Sequence, residues 1–251
     1  MTVWQHASDL DPAVNREALA GLDLPADTDL LVLPEAFARD FGEPGSPLAP
    51  IAEPLDGPFV AAVRAKTEQT GAAVVAGMFE QATDPQRPFN TLVLNQADSL
   101  TSYRKIHLYD AFGQRESDIV SAGATEPVLA EVGDLRVGLM TCYDLRFPEL
   151  ARALSAAGAE VLVLPSAWVA GPGKVAQWQT LIRARAIENV SWLVAAAQPG
   201  PRYCGHSAVI APTGDVVAEA GDGEELLTAE IDLDTVRAAR ESNPALSLRR
   251  M

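Results

Sequence analysis

Apolar runs of strand length recur along the chain, at residues 30–34, 72–77, 91–94, 137–141, 161–165 and 192–197. They are continuous rather than alternating, the pattern of strands covered on both faces. Between them lie segments of helical period. Residues 58–71 open on Pro58, which suits a first helical turn; residues 148–158 are stopped by Gly158; and residues 174–189 carry Trp178, Leu181, Ile182, Arg185 and Ile187. Strands alternating with helices predict an α/β layered sandwich.

Turn signals predict two hairpins, one at Gly133-Asp134 and one at Thr213-Gly214-Asp215, so the sheets are expected to be mixed rather than purely parallel. No flexible linker, low-complexity tract or solenoid period interrupts the pattern. The Pro/Gly-rich stretch 42–58 reads as a long loop within it. One domain over residues 1–251 is expected.

Composition narrows the function classes. With 34 acidic and 19 basic side chains the formal charge is −15, and no basic cluster exceeds Arg249-Arg250, which argues against nucleic acid or an anionic membrane as partner. No run approaches the roughly 18 apolar residues of a membrane span, and the first residues lack a secretory pattern, so a cytoplasmic protein is expected. Two cysteines, Cys142 and Cys204, and three histidines, without metal-ligand spacing, suggest neither disulfides nor zinc.

Three apolar segments end in a reactive side chain: Glu35 after Leu31-Val32-Leu33-Pro34, Lys105 after Ser102-Tyr103-Arg104, and Cys142 after Val137-Gly138-Leu139-Met140-Thr141. Strand ends are where sites assemble in layered α/β folds. Singly, each has a plain alternative: a loop carboxylate, a solvated charge, a buried small hydrophobe. Together, a carboxylate, an ammonium and a thiol can perform nucleophilic acyl chemistry, with Glu35 as base and Lys105 as the cation beside the thiol.

These residues sit in blocks that are familiar as a set. Leu33-Pro34-Glu35-Ala36-Phe37, Tyr103-Arg104-Lys105-Ile106-His107-Leu108, Thr141-Cys142-Tyr143-Asp144-Leu145-Arg146-Phe147-Pro148-Glu149-Leu150 and Arg185-Ala186-Ile187-Glu188-Asn189 resemble the signature blocks of the nitrilase, or carbon–nitrogen hydrolase, superfamily. The resemblance covers nearly the whole chain. It implies a four-layer α-β-β-α sandwich with mixed sheets, subunits paired as a homodimer or higher homo-oligomer, no cofactor and no metal. It also implies hydrolysis of a non-peptide C–N bond, with Glu35 as general base, Lys105 as oxyanion stabiliser, Cys142 as nucleophile and Glu116 as the second glutamate. Glu116 would keep the Lys105 ammonium charged, though it also reads as a surface loop acid. The backbone N–H of Tyr143 would be a second oxyanion donor.

Within the superfamily the blocks, with Gly205-His206-Ser207, look most like the Nit-type amidases, which include ω-amidases and deaminated-glutathione amidases, so the expected partners are water and a small amide. An anionic amide needs a fixed cation, which Arg146, Arg115, Arg202 or Arg104 could supply, each also readable as a structural ion pair. Trp168 reads equally as pocket wall and as core; Phe37, Tyr109 and Phe112 are weaker pocket candidates. Gln177-Trp178-Gln179 stands where many relatives carry His-Trp-Glu, and residues 107–115 lack the Pro-Gly of several ω-amidases, departures that bear on the substrate. A nitrilase, an N-carbamoyl amidase or a non-catalytic binding protein on the same fold are the alternatives. Gly171-Pro172-Gly173-Lys174 lacks P-loop spacing, and Cys204 beside His206 reads as an incidental loop pair.

Overall fold

The computed structural model describes residues 1–250. Twelve strands run in chain order as β1 (Thr2–Gln5), β2 (Leu30–Val32), β3 (Ala73–Glu80), β4 (Phe89–Gln96), β5 (Ser99–Arg104), β6 (Leu129–Val132), β7 (Leu135–Leu139), β8 (Val161–Ser166), β9 (Trp192–Ala197), β10 (Ala208–Ile210), β11 (Val216–Glu219) and β12 (Glu225–Thr228). Five α-helices accompany them: α1 (Pro12–Gly21), α2 (Pro58–Thr70), α3 (Pro148–Ala156), α4 (Lys174–Asn189) and α5 (Leu233–Ser242).

The strands form two six-stranded sheets, ordered β12-β1-β2-β3-β4-β5 and β11-β10-β9-β8-β7-β6. In the first, β1, β2 and β3 are parallel and the flanking pairs antiparallel; in the second the parallel trio is β7, β8 and β9. Both hairpins expected from the turn residues are present, as β6–β7 and β10–β11.

Strand periodicity explains the continuous apolar runs. Along β2, Leu30 and Val32 join one cluster with Val75, Leu92 and Leu94 and with Leu139, Val163 and Val194 of the other sheet. The intervening Leu31, with Leu33 just beyond the strand, packs with Val74, Ala76 and Met78 against Leu19 of α1 and Phe59, Val60 and Val63 of α2. Successive side chains point to opposite faces, so a strand between a helix layer and a second sheet needs apolar residues at every position. On the other side Leu150 and Leu154 of α3 and Trp178, Ile182 and Ala186 of α4 cover the second sheet. The layers run helix, sheet, sheet, helix, as the resemblance implied.

Local chemistry sets the helix limits. Asp11 and Asp232 accept from the backbone N–H of Ala13 and Thr235 to cap α1 and α5, and Gly71 ends α2 in the left-handed conformation, φ 78°. The short elements β1, α1, β12 and α5 escaped the sequence reading. No described helix is long and apolar enough to cross a membrane.

Because β5 runs in the same direction as β2 and β3, the carboxyl ends of β2, β5, β7 and β8 lie at one end of the sandwich. Glu35, Lys105, Cys142 and Ala167 follow those ends within a few residues. A groove of about 1070 Å³ at the opposite end is lined by Asp27, Asp29, Asp98, Asp134 and Glu230 among others, and contains none of the reactive set.

Candidate active site

Glu35, Lys105 and Glu116 form a buried charged array. Lys105 Nζ donates to Glu35 Oε1 at 2.9 Å and to Glu116 Oε2 and Oε1 at 2.9 and 3.2 Å, all three residues being at most 7% exposed. Burial works against the Lys105 charge, but Glu116 and then Glu35 more than offset it and hold the ammonium well above the ordinary lysine range. A buried ammonium without such partners would shed its proton or destabilise the fold by several kcal/mol.

Each carboxylate is held by further donors. Asn90, fully buried in β4, donates through Nδ2 to Glu35 Oε1 at 2.8 Å and to Glu116 Oε1 at 3.1 Å. The Ala167 N–H donates to Glu35 Oε2 at 2.7 Å, the Tyr109 N–H to Glu116 Oε2 at 2.6 Å, and Gln198 Nε2 to the Glu35 carbonyl at 2.9 Å. The two carboxylates therefore share one ammonium and one amide.

Cys142 begins a tight 3₁₀ turn, Cys142–Arg146, and has φ 44°, a left-handed conformation that a non-glycine residue keeps only when its surroundings impose it. Asp144 supplies much of that constraint. Its fully buried carboxylate accepts from the Thr141 N–H at 2.9 Å and the Tyr103 hydroxyl at 2.6 Å, and lies 2.7 Å from His107 Nδ1. The Cys142 thiol is buried beside Glu35; burial first, and then the Glu35 charge, push its pKa well up, with Lys105 pulling the other way. The ground state is thus a neutral thiol beside a carboxylate, poised for proton transfer as it attacks.

The cleft over these groups has a volume of about 520 Å³, and Tyr109, Tyr143, Arg146, Trp168, Lys174 and Tyr203 line it. The Lys174 ammonium lies 3.7 Å from the Phe112 ring centroid and 3.3 Å from the Tyr109 hydroxyl, to which it donates. The Arg146 guanidinium lies 4.7 Å from the Trp168 centroid and donates to Gln177 Oε1 at 2.7 Å.

The carbon–nitrogen hydrolase family model matches residues 7–241. This chain belongs to the carbon–nitrogen hydrolase family. As a member it is a hydrolase that cleaves a C–N bond in a small molecule. It is 42% identical over 260 residues to a hydrolase of Mycobacterium tuberculosis, covering 94% of this chain and 90% of the relative. It is 38% identical over 250 residues to the deaminated glutathione amidase of Escherichia coli O157:H7, covering 99% and 93%. Among solved structures, a CN-hydrolase superfamily protein of Xanthomonas campestris superposes with a TM-score of 0.89 at 29% identity, over 100% of this chain and 96% of that one.

In this carbon–nitrogen hydrolase the four residues singled out in the sequence, Glu35, Lys105, Glu116 and Cys142, come together, and the ring of Tyr143 follows on the cleft wall. Trp168 combines both of its readings: it lines the cleft and packs on Trp178, centroids 5.5 Å apart. Tyr109 is a wall residue, whereas Phe112, 65% exposed, does not line the cleft and lies outside it against Lys174. Phe37 is no pocket residue: the turn that follows β2 puts it in the core against Phe59. Arg104 pairs with Glu80 away from the cleft, Arg202 with Asp40 and Arg115 with Asp118, leaving Arg146 as the arginine without a carboxylate partner. Cys204 is buried with its thiol raised to about 12, chiefly by burial.

Sequence reasoning missed Asn90, Gln198 and Lys174. The polar pair Asn90-Thr91, buried directly before the apolar run Leu92-Val93-Leu94, was the one signal for the first. Lys174 was weighed only within a failed phosphate-loop motif.

Proposed function

We propose that this chain is an amidase that hydrolyses an ω-amide of a small carboxylate through a Cys142 thioester. The observation that carries the reading is the Glu35–Lys105–Glu116 array against a neutral Cys142 thiol at the floor of a cleft walled by aromatic rings and charged side chains. The E. coli relative's name, deaminated glutathione amidase, supports the amide of a small acid as substrate.

In this scheme Glu35 takes the thiol proton as Cys142 Sγ bonds to the amide carbon. The carbonyl becomes an oxyanion, stabilised by Lys105 Nζ and the Tyr143 N–H. Lys105 uses its ammonium on two carboxylates at rest. Protonation of Glu35 removes one of those charges, so the ammonium is released toward the oxyanion as it forms. Collapse breaks the C–N bond, and Glu35 returns the proton to the departing nitrogen, giving ammonia and a thioester. Water then attacks the thioester, Glu35 takes its proton, and collapse releases the acid and a thiolate that recovers the proton. Two acyl transfers replace one direct hydrolysis.

The chain functions as one domain over residues 1–251, in the cytoplasm, as a homodimer or larger homo-oligomer, without a cofactor. Size-exclusion chromatography with light scattering tests the assembly. Ammonia release over a panel of ω-amides of short dicarboxylates, simple aliphatic amides, N-carbamoyl amino acids and nitriles tests the activity. Release from an ω-amide, lost in Cys142→Ala, is expected; preference for a nitrile or carbamoyl compound would replace the amide assignment.

A further inference from the structure

Residues 171–174 break the chain between β8 and α4, and Gly173, at φ 72°, precedes Lys174 with no side chain to cap the helix. The 16-residue α4 therefore presents an uncapped amino-terminal turn whose peptide dipoles add positive potential at its start. Lys174 is the first residue of that turn and lines the cleft, its ammonium near the rings of Phe112, Tyr109 and Trp168 at 3.7, 5.5 and 5.7 Å. Arg146 reaches the same place from the nucleophile's own turn, its guanidinium 4.7 Å from the Trp168 centroid and 5.6 Å from that of Phe112.

Neither cation is neutralised. Arg115 and Arg202, the other cleft arginines, each have an aspartate, whereas among the described residues Lys174 and Arg146 have no carboxylate in an ion pair. Arg146 Nε is buried with no hydrogen-bond partner. Burial, and then repulsion from Arg146, lower the Lys174 pKa, the sign expected of a cation that lacks a counter-charge. Two cations and a helix terminus around one pair of rings, with a guanidinium N–H unused, make a site short of one anion.

We infer that Lys174 and Arg146, with the amino terminus of α4, form an anion subsite that holds a carboxylate at the end of the substrate's acyl chain remote from the scissile amide. The inference deepens the amidase reading and rests on it for the identity of the ligand. Arg146 offers directed N–H donors and Lys174 a point charge, while Trp168 and Phe112 flank the two cations on apolar ring faces. An amide whose acyl chain ends in a carboxylate is thereby selected over its neutral analogue.

Calorimetric binding of the monoamides of malonic through adipic acid to the Cys142→Ala protein tests the subsite without turnover. The best-bound monoamide is expected to lose about tenfold in affinity when Lys174→Met is added, since a charge-assisted hydrogen bond is lost, and to keep its affinity within about threefold with Lys174→Arg. Unchanged affinity in the Lys174→Met protein, or no binding of any monoamide, would overturn the subsite. Turnover by the otherwise unaltered protein separates the two claims. Lys174-dependent binding without amide hydrolysis removes the amidase reading and keeps the subsite; hydrolysis with Lys174-independent binding does the reverse.

Discussion

Gly77 of β3 lies directly against Glu35: a Cβ added at Gly77 would stand 2.8 Å from the Glu35 Cα and 2.5 Å from the backbone nitrogen of Ala36, which itself has φ 55°. The carboxylate leaves the end of its strand by a sharp turn whose backbone presses onto the neighbouring strand. Only a residue without a side chain leaves room for it. Gly77→Ala is expected to displace Glu35, lowering kcat by about tenfold or more and stability by about 1–3 kcal/mol. Steady-state kinetics and denaturant unfolding check both; a variant with full kcat would show that Glu35 needs no such placement.

Asn90 ties the two glutamates to each other through one amide. Asn90→Leu removes both donors, and Asn90→Asp keeps the size while replacing the donor group with a third acid. A hydrogen bond to a charged group contributes about 1.5–3 kcal/mol, so each variant is expected to lose about ten- to a hundredfold in kcat. The loss should fall on kcat rather than on KM, because Asn90 acts through Glu35 and Glu116.

Glu116→Gln leaves Lys105 with one full counter-charge. The folded-state pKa of Lys105 lies above its unfolded value of about 10.4, so its contribution to stability is fully present below that pH and is lost as pH rises through the folded-state pKa. Removing Glu116 lowers the folded-state value toward the unfolded one, so the alkaline loss of stability above about pH 10.4 is expected to be smaller than in the unaltered protein. Urea unfolding from about pH 8 to about pH 11 reads the shift.

The two cysteines offer a test that separates thiol ionisation from catalysis. Burial and then the Glu35 charge raise the Cys142 pKa, so Glu35→Gln removes one of these two causes and leaves Lys105 to favour the thiolate. Iodoacetamide is expected to alkylate Cys142 faster in Glu35→Gln, while amide hydrolysis falls by about a hundredfold or more with the base gone. Cys204, raised to about 12, should react slowly in both proteins. Slower alkylation of Cys142 in the variant would mean that Glu35 does not hold the thiol proton on.

The layers were legible in the sequence because the central strands carry continuous apolar runs, as Leu30, Leu31, Val32 and Leu33 do. That pattern arises only between two covers. The strands β1 and β12 were not legible: Thr2-Val3-Trp4-Gln5 and Glu225-Leu226-Leu227-Thr228 are four residues each, and their pairing joins the two ends of the chain. Glu35, Lys105, Glu116 and Cys142 stood out because each sits in a distinctive local block. Asn90 and Lys174 sit in none. Their positions follow from strand order and from a helix start, and these exist only once the chain has folded.

The thioester is the centre of the account, and intact-protein mass spectrometry after rapid acid quench of an ω-amide reaction observes it directly. The expected result is added mass equal to the amide less ammonia, located on the peptide containing Cys142, which disappears as substrate is consumed and is absent in Cys142→Ala together with turnover. Continued ammonia release by Cys142→Ala at the rate of the unaltered protein would contradict a cysteine nucleophile and the mechanism built on it.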